Sequence, residues 1–341
     1  MPILTRRNLL KASAVAGAYG IGLGIAGKFA GKAAAAEPRV LKTAKIEANL
    51  IDGGVTRSVL TYGEAGMPPV VRMKKGESFA ARLINGIDDP TTIHWHGIRL
   101  PNNMDGVPFL TQPYVYTGDH FDYAFTPPDA GTFWYHPHCN TLEQMGHGMT
   151  GVIVVENPKD PAFDSEVVLN LRDWRLGGDG QFIAQFRPRD AAKSGTYGTV
   201  RTANWQQQPQ YDAPSGGLVR LRMAITDVTR IFSFRMDGAE GTVISIDGNP
   251  VPQRFPLDVL QLGPGQRLEL AVRMPDSEGA IVKLEDIKGT NPKVLATLRA
   301  VGASLKRDVR DLAPLEANPV QKADLGSATH IPLILSATAE N

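Results

Sequence analysis

The sequence predicts an all-β protein built of two or more units. Thirty-five glycines and 25 prolines punctuate its 341 residues, and sustained apolar spacing at three and four residues is scarce beyond the N-terminus, so short strands joined by turns are favoured over helices. A chain of this length also exceeds what one small core accommodates.

Residues 1–36 read as an address and not as fold. Arg6 and Arg7 precede a Gly/Ala-rich apolar run, and Ala34 and Ala36 offer an Ala-x-Ala cleavage site, the pattern of a twin-arginine export signal. Glycine dilutes the run below what a membrane anchor requires. The expected destination is periplasmic or extracellular, with no membrane association beyond export. The same residues hold Arg6, Arg7, Lys11, Lys28 and Lys32 and no acid, which more than accounts for the formal net charge of +1. The remainder is net acidic and offers no basic face for nucleic acid.

The first unit is expected over 37–157. Phe79, Ala81 and Leu83 alternate along one strand, Phe121, Tyr123 and Phe125 along another, and Gly151–Glu156 forms a buried run ending at Asn157-Pro158. Strands so spaced suit a sandwich or a small Greek-key barrel. A second unit, over 158–315, follows a Pro- and charge-rich connection, with strands in VVLNLRDWRL, GLVRLRMAIT, RIFSFRM, TVISIDG and RLELAVRM. The polar stretch 187–217 is expected to be loop, with one short strand near Thr199–Asn204. Residues 316–341 read as a linker and one more strand, THIPLILSAT, which either completes the second unit or opens a third domain, because a lone strand is no domain.

Four of the seven histidines stand in two His-x-His pairs, His94/His96 and His136/His138. Side chains at i and i+2 of a strand share a face about 6.6 Å apart at the usual rise per residue. Each pair therefore projects together, Trp95 turns the other way, and Pro137 marks a strand end or edge. If the two strands are neighbours, four imidazoles converge. Imidazole is a borderline-soft donor suited to copper, zinc, iron or nickel. A single buried histidine is readily satisfied by a carbonyl; two pairs favour metal. The single cysteine, Cys139, excludes an internal disulfide and is either a small buried hydrophobe or a metal ligand.

The segments IHWHGIRLPNNMDGVPFLTQPYV and GTFWYHPHCNTLEQMGHGMTGVIVVE resemble first-domain signatures of the laccase-like multicopper oxidases. RDWRL and VISIDGNPVPQRFPLDVLQLGPGQRLELAVRM resemble strands of that family's copper-free second domain. The resemblance covers about residues 40–300 and implies two consecutive cupredoxin-like Greek-key sandwiches. It implies a trinuclear copper cluster held by eight histidines, half from the first domain and half from a third. His94 would bind the type 2 copper; His96, His136 and His138 would bind the type 3 pair. It also implies partners: dioxygen, reduced to water, and a small reducing substrate whose electrons enter through a type 1 copper in the third domain.

Beyond His147 the sequence has only His330, so the expectation is half of a trinuclear site, no type 1 site, and a chain inactive by itself. Cys139, His147 and Met149 could form a type 1 site, as in two-domain copper nitrite reductases completed at an oligomer interface, but the Met follows the His too closely for such a loop. A non-catalytic exported copper-binding or structural protein is the remaining alternative, and retention of both histidine pairs argues against a purely structural role. Met104, Met145 and Met149 read as core or loop-end residues rather than a cuprous site. Gln144, Gly148 and Gly151 are expected to shape the strand leaving the ligands, and Asp105 belongs to an Asp-Gly turn.

Overall fold

Alternation along the sequence becomes alternation across sheets. The computed structural model describes residues 37–334 apart from Ser194. The first unit contains β1 (Arg39–Lys42), β2 (Ala44–Ala48), β3 (Thr56–Thr61), β4 (Val71–Lys74), β5 (Phe79–Ile84), β6 (His94–His96), β7 (His120–Phe125), β8 (Gly131–His136) and β9 (Gly151–Glu156). A short helix, α1 (Thr141–Gly146), interrupts the run between β8 and β9. The second unit begins with β10 (Ser165–Trp174), α2 (Pro188–Ala191), β11 (Val200–Ala203), β12 (Gln210–Pro214) and β13 (Leu218–Ile225). It continues with β14 (Phe232–Asp237), β15 (Gly241–Ile246), β16 (Asn249–Pro256), β17 (Leu260–Leu262), β18 (Arg267–Arg273), β19 (Ile281–Asp286) and β20 (Lys293–Val301).

Two sandwiches result. In the first, sheet β1-β5-β7 meets sheet β4-β9-β8-β6, and Leu83, Tyr123 and Phe125 pack with Trp95, Tyr135 and Ile153. In the second, sheet β11-β10-β13-β18-β15-β16 covers sheet β12-β20-β19-β14-β17, with Leu169, Leu221 and Leu270 against Phe234, Val282 and Leu298. The ribbon β2-β3 contributes Val59 to a separate cluster with Trp174, Leu176 and Trp205 of the second unit. The all-β sandwich expectation holds.

Three local expectations change. THIPLILSAT forms no strand over its described part: residues 329–334 lack any ladder partner, and Ile331 and Leu333 are 81% exposed. Residues 329–334 therefore do not extend either described sandwich; residues 335–341, like the export signal in 1–36, lie outside the described residues. The polar stretch 187–217 holds more than the one short strand, since α2 and β12 also form, β12 running parallel to β20. Gln144 lies on α1 and not on a strand, whereas Gly151 does open β9, where a Cβ would sit 2.2 Å from the Tyr135 ring.

The sandwiches meet through buried charge. Glu269 on β18 is 1% exposed and accepts from Thr132 of β8 at 2.7 Å, Arg222 at 2.7 Å and Arg220 at 2.9 Å. Arg220 also pairs with Asp160 at 2.7 Å, and Arg222 with Glu166 at 2.6 Å. Burial opposes the charge on Glu269, but Arg222 and Arg220 outweigh it and hold its pKa below the usual glutamate range. Every oxygen of this carboxylate is occupied, the condition under which a buried ion is tolerated.

Candidate metal centre

β6 is the edge strand of its sheet and runs antiparallel to β8, with His94 opposite His136, Trp95 opposite Tyr135 and His96 opposite Trp134. Trp95 is fully buried against Phe79, Tyr123 and Phe125. That anchor fixes the strand's register, so His94 and His96 must face the other way. His136 is the last residue of β8. Pro137 ends the strand, and His138 folds back toward the same face.

The four imidazoles converge. Ring centroids lie 4.7 Å apart for His94 and His138, 5.2 Å for His94 and His136, 5.6 Å for His94 and His96, and 5.2 Å for His136 and His138. Ring nitrogens of His94, His96 and His136 fall within 4.8 Å of one another, the one such group of three or more among the described residues.

Hydrogen bonds select the tautomers. His94 Nδ1 lies 2.8 Å from the Asp105 carbonyl oxygen, and His136 Nδ1 lies 3.0 Å from the Pro137 carbonyl oxygen. A carbonyl only accepts, so each Nδ1 carries the proton and each Nε2 keeps its lone pair. His96 Nδ1 lies 3.3 Å from His136 Nε2 and donates to it, leaving the His96 Nε2 lone pair free. Burial, then Arg267, then the neighbouring imidazoles push His96 down to about 3. Burial and His94 also lower His136 and His138. These three rings are neutral at physiological pH, the form that binds metal. Four neutral-capable imidazoles without an interleaved carboxylate fit a copper-type ion better than a hard oxygen-seeking cation.

Neighbouring residues hold this face in place. Asp105 ends the 3₁₀ turn Asn102–Met104, and its carboxylate also approaches His94 Nδ1 at 3.3 Å. The following Gly106 has φ +80°, and a Cβ there would lie 1.8 Å from the Ile93 carbonyl oxygen, so only glycine lets the turn approach β6. Gln144 of α1 accepts from Thr91 Oγ1 and donates to the Pro90 carbonyl, both at 2.9 Å, while Thr92 Oγ1 accepts from the His138 amide at 3.3 Å. The sequence reading placed the four histidines and singled out Gln144 beside them but missed Thr92 and Arg267 as neighbours of the site. The Asp-Gly turn eleven residues after His94 was the one visible hint of Asp105's contact.

The other candidates are engaged elsewhere. Cys139 is buried, its thiol pushed up to about 11 by burial, and its Sγ donates to Thr92 Oγ1 at 3.9 Å. His147 stacks on Phe182 with centroids 4.0 Å apart and meets the Ser58 carbonyl at 3.2 Å, while Met149 is fully buried in the first core. Each of these three thus has its own partners in the fold. Met104 packs on the first core and Met145 in a separate cluster with Trp134, so the three methionines make no common site.

The histidine face opens into a pocket of about 600 Å³, walled on its far side by Asp227, Val228, Pro264 and Gly265 of the second sandwich. A larger pocket of about 830 Å³ lies around Arg254 and Phe255 of the second sandwich and contains no histidine.

Comparison with known proteins bears on this arrangement. Multicopper oxidase family profiles match residues 43–160 and 188–299. Multicopper oxidase MmcO of Mycobacterium tuberculosis is 28% identical over 287 residues, covering 73% of this chain and 54% of that protein. Copper resistance protein A of Pseudomonas syringae pv. tomato is 36% identical over 178 residues, covering 50% of this chain and 29% of that protein. The chain thus spans about half, or less, of the curated relatives it matches. A crystal structure of a multi-copper oxidase from Pseudomonas thermotolerans superposes with a TM-score of 0.80 at 39% identity, over 86% of this chain and 70% of that one.

Proposed function

The chain belongs to the multicopper oxidase family, and we propose that its paired histidines are copper ligands forming half of a trinuclear oxygen-reducing site. The observation that carries this reading is the convergence of the His94, His96 and His136 ring nitrogens on one face, with the Nε2 lone pairs of His94 and His96 free of protein donors and His138 beside them. In this reading His94 holds the type 2 copper, and His96, His136 and His138 hold the type 3 pair. Copper bound there would supply the one-electron chemistry by which the family couples oxidation of a small reducing substrate to reduction of dioxygen to water.

The chain's own residues orient and insulate. The Asp105 and Pro137 carbonyls fix the proton on Nδ1 of His94 and His136, Arg267 disfavours protonation of His96, and Trp134 stacks on His136 at 4.2 Å, covering one ring face. Four histidines are half of the family's eight, so dioxygen reduction requires four more imidazoles and an electron-entry copper from another segment or subunit.

Export by the twin-arginine route to the periplasm or beyond belongs to the same proposal. It rests on Arg6, Arg7 and the Ala34/Ala36 site; among the described residues no helix is long and apolar enough to cross a membrane.

The test is copper loading of the purified chain with and without alanine at His94 and His136, together with oxygen uptake on a phenolic or cuprous substrate. Histidine-dependent copper binding without oxygen uptake is expected. Uptake by the chain alone would contradict the half-site reading, and copper binding indifferent to both histidines would contradict the ligand assignment.

A further inference from the structure

Arg172 is the least expected charge in the molecule. It sits on β10 of the second sandwich and is 2% exposed. No carboxylate lies within ion-pairing distance among the described residues. Its guanidinium donates to the Met145 carbonyl, to Thr150 Oγ1 at 2.8 Å and to the Gly146 carbonyl at 3.4 Å, and it rests over the Trp174 ring 4.3 Å from the centroid. Its Nε has no partner. A buried cation without an anion is costly, so its partners must matter. Met145 and Gly146 end α1; the Met145 carbonyl also accepts from the Gly148 amide at 3.0 Å, and the last carbonyls of a helix carry the negative end of its dipole.

The helix so held begins three residues after His138, and Thr141, Leu142 and Met145 wall the histidine pocket. His94, His96 and His136 are pinned by the β6–β8 ladder. His138 lies beyond the end of β8; its position depends on the Thr92 contact to its amide and on where α1 sits. Gln144 ties α1 to the first sandwich, and Arg172 ties it to the second.

We infer that Arg172 is a positioning residue through which the sandwich without histidine pairs sets the seat of His138. This rests on the copper reading above and adds a specific route: the second sandwich tunes the site through the end of α1.

The test is a double-mutant cycle on the full chain, with Cu(I) affinity read by competition against a chromophoric chelator and folding followed by near-ultraviolet circular dichroism. Arg172→Met alone is expected to weaken Cu(I) binding about tenfold, the lower range for residues that orient ligands. In a His138→Ala background the same substitution is expected to change affinity by less than about twofold, because the ligand it acts through is gone. Equal weakening in both backgrounds, or none in either, overturns the inference. If R172M does not fold, Arg172→Lys replaces it in the cycle, keeping the charge while losing the forked hold on two carbonyls, with the same non-additivity expected. A chain whose copper affinity is untouched by His94→Ala and His136→Ala would remove the copper reading itself, a result distinct from normal histidine-dependent binding that ignores Arg172.

Discussion

The histidine face of the first sandwich and the charged junction beneath it bury polar groups in opposite ways. Around Glu269 every oxygen has a partner: Thr132, Arg222 and Arg220 share the carboxylate, and Asp160 and Glu166 complete the arginines. The histidines are comparably crowded, yet their Nδ1 protons are engaged by carbonyls and by one another so that Nε2 lone pairs of His94 and His96 remain without a protein donor. Complete satisfaction marks a structural network; a set of like donors left one bond short on the same side marks a place for a ligand. Both kinds of polar burial meet at β8, where Thr132 faces the junction and His136 ends the strand at the metal face.

Substitutions that separate these roles should do so in order of size. His94→Ala with His136→Ala should abolish measurable copper binding while leaving the thermal transition within a few degrees, as judged by equilibrium dialysis and calorimetry. Glu269→Ala should do the reverse. It leaves Arg220 and Arg222 short of their shared anion and should cost about 3–5 kcal/mol in denaturant unfolding, with copper affinity of the folded chain little changed. If instead copper affinity collapsed and stability held, the division between the two regions would fail.

On acidification the junction should follow the histidine face, where the lowered pKa values of His96, His136 and His138 already cost stability below the unfolded imidazole value of about 6.5. Because the folded-state pKa of Glu269 is held below its unfolded value of about 4.3, its contribution is fully present above that value. It is lost as pH falls through 4.3 toward the folded pKa. Unfolding curves for the unsubstituted chain and Glu269→Gln should therefore converge on acidification below about pH 4; a gap that widened there would refute the assignment.

Asp105→Ala should weaken copper by about tenfold and no more, since the principal bond to His94 comes from the backbone carbonyl and survives. Gly106→Ala, which displaces that backbone, should weaken it further. The smallest effect belongs to Cys139→Ser: copper affinity within about twofold of the unsubstituted chain, because its Sγ lies against Thr92 Oγ1 and outside the His94, His96 and His136 group.

Much of this was legible in the sequence because its signals are local. Two-residue alternation placed β5, β7 and the histidine pairs, a continuous apolar run placed β9, and Trp95 between two histidines fixed which face turned inward. What failed to show is non-local. TLEQMG is too short to announce a helix by periodicity, and α1 exists because Gln144 and Arg172 grip it from two sides. The adjacent charges Arg172 and Asp173 in β10 give no sign of burial in the sequence, yet both are buried, with partners 22 to 57 residues away. The apolar residues of THIPLILSAT signalled a strand, and among the described residues 329–334 make no ladder with either sandwich.

The central claim is that histidine nitrogens alone from one face bind copper in this chain. X-ray absorption at the copper edge on the loaded chain tests it directly. The account predicts nitrogen or oxygen scatterers with imidazole outer-shell features and no sulfur, and loss of bound copper when His94, His96, His136 and His138 are all alanine. A copper–sulfur distance in the spectrum, or copper retained by that fourfold variant, would contradict it.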